Sequence, residues 1–330
     1  MPRAGAQEVP GGCGLAIESQ RERGMTKRRV LLLCTLAAGF ALALAAVAAG
    51  EPPVPSVFTD VTDPSTRVTT TFTDANGDVV TKTTIDGHFT SVVNGVTGPF
   101  HTTIFRIAHA ATGKSDTTGV DFCTACVDTV GNSGAIANHL IGVTGSPTHT
   151  DLGNGTGTLA SDRGTFTLSA VAGVVTDTGV LAKSPCISGH HAGPLTVVSG
   201  DSECLAPGAA QSGPVTVQSG GHFFSNGARI SGPVTAETPG AISICGTRIT
   251  GPLTVSGATA PVLIGEPATG DCPGNRINGS VTITGDTAGT DFSGNTVSGD
   301  ATLTNNVGGF IFGDLVPNTI DGSVTSTGNV

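Results

Sequence analysis

The chain has 330 residues, of which 49 are glycine, 19 proline and 13 phenylalanine, with neither tryptophan nor tyrosine. Charged residues make up only 12%, which excludes a long solvated helix or coiled coil, and 38% hydrophobic residues is too many for a disordered polyelectrolyte. The formal charge of −10 repels phosphate backbones and anionic membrane surfaces, so nucleic acid is not an expected partner.

Residues 1–24 are polar and precede a second methionine, Met25, which reads as a mis-start extension. Lys27-Arg28-Arg29 then leads into an apolar run over 30–49. Small residues at Ala46, Ala48 and Ala49 give way to Glu51-Pro52-Pro53. This is the pattern of a secretory signal peptide over 25–49, and the expected location is secreted or envelope-associated. If uncleaved, the same run is the one expected membrane contact. Cleavage after Ala48 leaves 9 basic and 22 acidic residues, a net −13. It also leaves six cysteines: Cys123, Cys126, Cys186, Cys204, Cys245 and Cys272. An even count in an exported chain reads as disulfides, and the most local scheme pairs 123 with 126, 186 with 204 and 245 with 272.

Residues 50–185 are rich in Thr and Val with frequent turn signals. Segments 67–73 and 79–85 flank Ala75-Asn76-Gly77-Asp78, a hairpin with Asn-Gly at its turn. Further strands are expected over 101–108, 135–143 and 164–172. With no helical periodicity, the expectation is an antiparallel β-sandwich or barrel of ordinary domain size.

Over 186–330 a repeat takes over. Its copies open at Gly193, Gly213, Gly232, Gly251, Gly279, Gly299 and Gly322 in the style Gly-Pro-Val-Thr-Val, spaced by 20, 19, 19, 28, 20 and 23 residues. An x-[IV]-x-Gly signature such as Arg248-Ile249-Thr250-Gly251 precedes most copies. Thirteen residues after the leading glycine come Cys245, Ile264, Phe292 and Phe312. Three short strands per period describe one rung of a parallel β-helix of about six to seven rungs. Alternation turns Leu195/Val197, Val215/Val217 and their equivalents inward and the threonine between them outward. The long 28-residue period places extra residues over 265–274, around Cys272. The last repeat puts Ser326 at an inward position, which leaves an open solenoid end able to self-associate by strand addition.

The N-x-I-x-G-x-V-T-V style of these repeats resembles the right-handed parallel β-helix superfamily, the pectate-lyase-like superfold. More closely, it resembles the glycine- and threonine-rich repeats of exported actinobacterial proteins. The resemblance implies a solenoid and no single activity, since such folds include lyases, hydrolases, adhesins, ice-binding proteins and polymer-forming proteins.

Candidate surfaces follow from the rung pattern. Thr196, Thr216, Thr235, Thr254, Thr282, Thr302 and Thr325 form an outward ladder, joined by a second column, Thr284, Thr304 and Thr327, in the last rungs. Such T-x-T arrays resemble ice-binding surfaces, although threonine also stacks well as an ordinary exposed strand residue. Arg229, Arg248 and Arg276 form an outward arginine ladder and are the only lysines or arginines after Lys183. They can grip a polyanionic chain such as a uronate polymer, or pair internally with Asp271, Glu237 or Asp286. Asp291, Asp300 and Asp321 are the acids to weigh for glycosidic chemistry, but their rung positions differ and no catalytic motif is recognisable. Cys123-Thr-Ala-Cys126 lies near His101, His109 and His139 in sequence. In an exported chain it reads as a structural disulfide before a zinc or redox site. His190-His191 and His222 are expected at solvated turns. The expectation is therefore a non-catalytic structural or surface-interaction protein with no metal and no cofactor, touching envelope polysaccharide or itself. The alternatives are a polysaccharide lyase or hydrolase and an ice-binding protein.

Overall fold

The computed structural model describes residues 54–144, 148–155, 159, 162–171, 174–183 and 185–330; the expected extension and signal peptide lie outside the described residues. The first eight strands are β1 (Val54–Thr73), β2 (Val79–Val93), β3 (Val96–Ala108), β4 (Ser115–Asp128), β5 (Ser133–Val143), β6 (Thr148–Gly155), β7 (Asp162–Val171) and β8 (Val174–Lys183). Each pairs antiparallel with the next, and Val54 to Asp60 of β1 pair back onto Leu181 to Val175 of β8, which closes an eight-stranded barrel. The expected hairpin is present: Thr73 faces Val79, and the Asp74 carboxylate accepts the backbone N–H groups of Asn76 and Asp78 across the turn. Gly77 takes the left-handed φ of 88° that this turn requires.

Phenylalanines fill one end of the barrel. The ring centroids of Phe58 and Phe89 lie 5.3 Å apart, those of Phe58 and Phe166 5.1 Å, and those of Phe89 and Phe100 4.4 Å. Cys123–Cys126, Ile136 and Leu181 close this cluster. Farther along, the inward positions are polar. Asp60 and Asp177 are buried and Asp121 half-buried there, and burial, with the Asp177 charge adding to it, pushes Asp60 up to about 11.

From His190 onward every strand is parallel to its neighbours, in three stacked sheets. The threonine sheet has seven strands, from Leu195–Val197 to Val324–Thr327. A middle sheet has six, from Ser202–Leu205 to Phe310–Ile311. The arginine sheet has seven, from His190–His191 to Thr319–Ile320. Inward columns of Val, Leu and Ile from all three sheets make one continuous core, with Ile230, Ile249, Ile277 and Val297 fully buried on the arginine sheet. From Gly213 onward the leading glycines are steric necessities. A Cβ on Gly251 would lie 2.6 Å from Pro233 N and 2.7 Å from the Gly232 carbonyl carbon, so the rungs could not stack at about 4.8 Å. Buried asparagine ladders hold the corners. Asn295 Nδ2 donates to Ile264 O (2.7 Å), while its Oδ1 accepts from the backbone and side-chain nitrogens of Asn275 (2.9 and 3.0 Å).

The barrel packs on the middle sheet, which is therefore buried on both faces. Phe223, Ile242, Ile244 and Ile264 point into the solenoid core, whereas Cys204, Phe224, Ala241, Cys245 and Leu263 point out against Ile141 of β5. Val80, Phe105 and Ile107 of the barrel meet Ile311 in the same way. Three expectations change here. Cys245 does not share a column with Ile264; Ile244 does, and Cys245 faces outward to bond Cys272. A sheet with two buried faces has no polar alternation from which to read its register. His190-His191 form a strand rather than a turn, and His222 lies half-buried in the strand His222–Asn226, where burial lowers its pKa. The remaining cysteine pairs, 123–126 and 186–204, follow the local scheme.

Candidate functional site

With the middle sheet covered by the barrel, the threonine and arginine sheets are the solenoid's two open faces. On the first, Thr196, Thr216, Thr235, Thr254, Thr282, Thr302 and Thr325 stand in direct register from rung to rung. Thr284 and Thr304 extend it with hydroxyls 3.0 Å apart, but the same column holds Glu237 and Ser256 in earlier rungs. The regular T-x-T lattice is thus confined to the last rungs.

On the second face, Arg229 pairs with Arg248 and Arg248 with Arg276, so the three side chains stand one above another. All three are exposed. Among the described residues none of the three forms a salt bridge or a side-chain hydrogen bond. The acids expected to neutralise them are engaged or elsewhere. Asp271 lies 2.7 Å from His139 Nε2, Asp286 accepts the Ala258 N–H at 2.8 Å, and Glu237 sits on the threonine sheet. Ala210 precedes the arginine column and Thr296 follows it, so it is bounded by small or neutral residues. Three guanidinium groups over two rung spacings span about 10 Å.

The acids weighed for hydrolysis do not converge. Asp291 is fully buried on the middle sheet, Asp300 receives the Ser323 N–H at the turn before the threonine sheet, and Asp321 is exposed beyond the arginine sheet.

A cluster that the sequence did not reveal lies where the barrel's first hairpin meets the last rungs. A cavity of about 510 Å³ is lined there by Asn76, His109, Phe310, Phe312, Asp314 and Asn318, among others. His109, at the end of β3, points Nδ1 at Asp78 Oδ2 (2.9 Å) and Nε2 at Asp116 Oδ2 (3.1 Å). Asp116 also accepts the Phe310 N–H at 3.3 Å. The Asp116 hydrogen bond, followed by Asp78 and Asp314 and opposed by burial, raises the imidazole to about 9. Burial raises the Asp314 pKa, and the Asp78 and Asp74 charges add to it. One ligand atom each from Asp78, His109 and Asp314 lie within 4.8 Å of one another.

His139 occupies a second interface cluster, fully buried between Glu266 Oε2 (2.8 Å) and Asp271 Oδ2 (2.7 Å). Burial opposes its charge, but Asp271 and then Glu266 overcome this and hold it up at about 10. Glu266 itself is raised by burial, while the His139 charge keeps Asp271 low. The CTAC histidines are therefore dispersed. His101 pairs with Asp86, His109 and His139 with the interface acids, and Cys123–Cys126 is a core disulfide.

No family model matches the chain, and no curated protein or solved structure was found to be similar to it.

Proposed function

We propose that the protein is an exported, non-catalytic surface-interaction protein whose arginine face binds a linear acidic polysaccharide of the cell envelope. The observation that carries this reading is the exposed, register-aligned column Arg229, Arg248 and Arg276, whose guanidinium groups have no carboxylate partner among the described residues. Among the described residues Arg67, Arg106 and Lys114 likewise form no salt bridge, so it is the alignment of the three arginines one rung apart that sets them apart. Lys183, by contrast, is engaged by Asp128 and Asp162. A guanidinium presents a planar fork that fits a carboxylate with two hydrogen bonds, and its spacing along a solenoid repeats as acidic groups repeat along a polymer. Three disulfide-bonded pairs suit an oxidising, extracellular setting.

Binding of the purified chain to an array of neutral and acidic polysaccharides, beside Arg248→Ala, tests the reading. A charged hydrogen bond contributes roughly 1.5–3 kcal/mol, so the variant is expected to lose about tenfold or more in affinity for acidic glycans. Acidic-glycan binding that survives the substitution unchanged contradicts the assignment of the face.

A further inference from the structure

We propose that Asp78, His109 and Asp314 bind a divalent transition-metal cation of the zinc class at the mouth of the cavity, joining the barrel's first hairpin to the solenoid. The ligand atoms lie within 4.8 Å of one another, and tetrahedral bonds of about 2.0–2.2 Å place ligands roughly 3.4 Å apart, a distance that side-chain rotation can reach. The donor set, one imidazole and two carboxylates, is the chemistry of zinc and its neighbours. Calcium and magnesium prefer oxygen alone.

Two further observations point the same way. The first is the outer partner of the histidine. Asp116 Oδ2 lies 3.1 Å from Nε2 and is itself fixed by the Phe310 N–H, which leaves Nδ1 as the atom directed at Asp78, 2.9 Å away. A carboxylate behind a ligating imidazole is the arrangement that orients histidine toward a metal. The second is a shortage of positive charge. Asp74 contributes a buried Oδ2 without a hydrogen-bond partner, and its charge reaches Asp314. Asp78, Asp116 and Asp314 thus act on a single imidazole, with Asp74 adding its charge at Asp314, and no lysine or arginine forms a salt bridge with any of the four among the described residues. The cavity beside Asp314, with Asn76 and Asn318 in its wall, offers room for water at the remaining coordination positions and a path for the ion to enter. The site is independent of the arginine face.

The test is titration of the metal-free full chain with zinc chloride by calorimetry, with thermal unfolding measured in parallel. The expected result is one zinc per chain and a raised Tm. Both should be lost in His109→Gln and in Asp314→Asn, and affinity should fall about 10–100-fold in Asp116→Asn. Far-UV circular dichroism of the metal-free variants establishes that they are folded. Should one variant fail to fold, cobalt titration of the unmodified chain decides. Ligand-field absorption of a nitrogen- and oxygen-ligated ion supports the site, and the spectrum of the aquo ion overturns it. Absence of zinc binding, or binding that His109→Gln and Asp314→Asn retain while His190→Ala abolishes it, also overturns the proposal.

Discussion

His139 Nδ1 lies 2.8 Å from Glu266 Oε2, and this contact ties barrel strand β5 to the widest rung of the solenoid inside a fully buried interface. The same imidazole reaches Asp271 through Nε2, so one side chain fixes both ends of the Glu266 to Cys272 loop. Removing one partner of a buried ion pair leaves an uncompensated charge and typically costs about 3–5 kcal/mol. His139→Ala is accordingly expected to lower stability by that order in chemical denaturation. A change below about 1 kcal/mol would show that this ion pair adds little to the docking of the barrel on the solenoid.

The pH dependence has a definite sign. The folded pKa of His139, about 10, lies above its ordinary value of 6.5, so its contribution to stability is complete below about pH 6.5. It declines as pH rises and is gone above about pH 10. Asp60, raised to about 11, acts in the same direction, because its protonated form is favoured in the folded chain. Thermal unfolding should therefore fall between pH 7 and 10, and less steeply in His139→Gln. Equal slopes in the two proteins would remove His139 from the effect.

Much of this architecture is legible in the sequence, and the illegible parts share a cause. One-sided elements announce themselves. The threonine column and the Arg-Ile-x-Gly signature alternate because one face meets the core and the other meets solvent. Strand β4, which the composition conceals, has Asp121 and Cys123 facing the barrel interior, while Thr118 and Val120 face the other way, into the interface with the solenoid. The middle sheet fails in the same way, and this displaced Cys245 by one position from the column of Ile264. The cation cluster could not be read because Asp78, His109 and Asp314 belong to a hairpin turn, a strand end and a distant rung. Only closure of the barrel and its docking bring them together.

The asparagine ladder predicts a local and severe defect. Asn295→Ala would strip a partner from Ile264 O and from the Asn275 N–H, both in buried surroundings. A loss of about 2 kcal/mol or more is expected, given about 1–3 kcal/mol for each unsatisfied buried group. Asn295→Asp keeps the acceptor but not the donor and should fall between the two. Stability unchanged by the alanine would mean that water replaces the amide.

Disulfide 245–272 closes the extra residues of the long rung against the barrel. A double Cys245→Ser, Cys272→Ser variant should lose about 2–4 kcal/mol. Reductant should lower the Tm of the unmodified chain and leave that of the double variant less affected. An identical response in both would place the stabilising effect in the other two bonds.

The central claim concerns the arginine face, and the most direct measurement is the affinity of the purified chain for a defined polyuronate, compared with a neutral glycan of equal length, for the unmodified protein and Arg248→Ala. The account predicts binding to the polyuronate alone, weakened by salt and reduced about tenfold or more by the substitution. Absence of polyuronate binding, or equal affinity in the two proteins, would contradict it and leave the exposed arginine column without the role assigned to it.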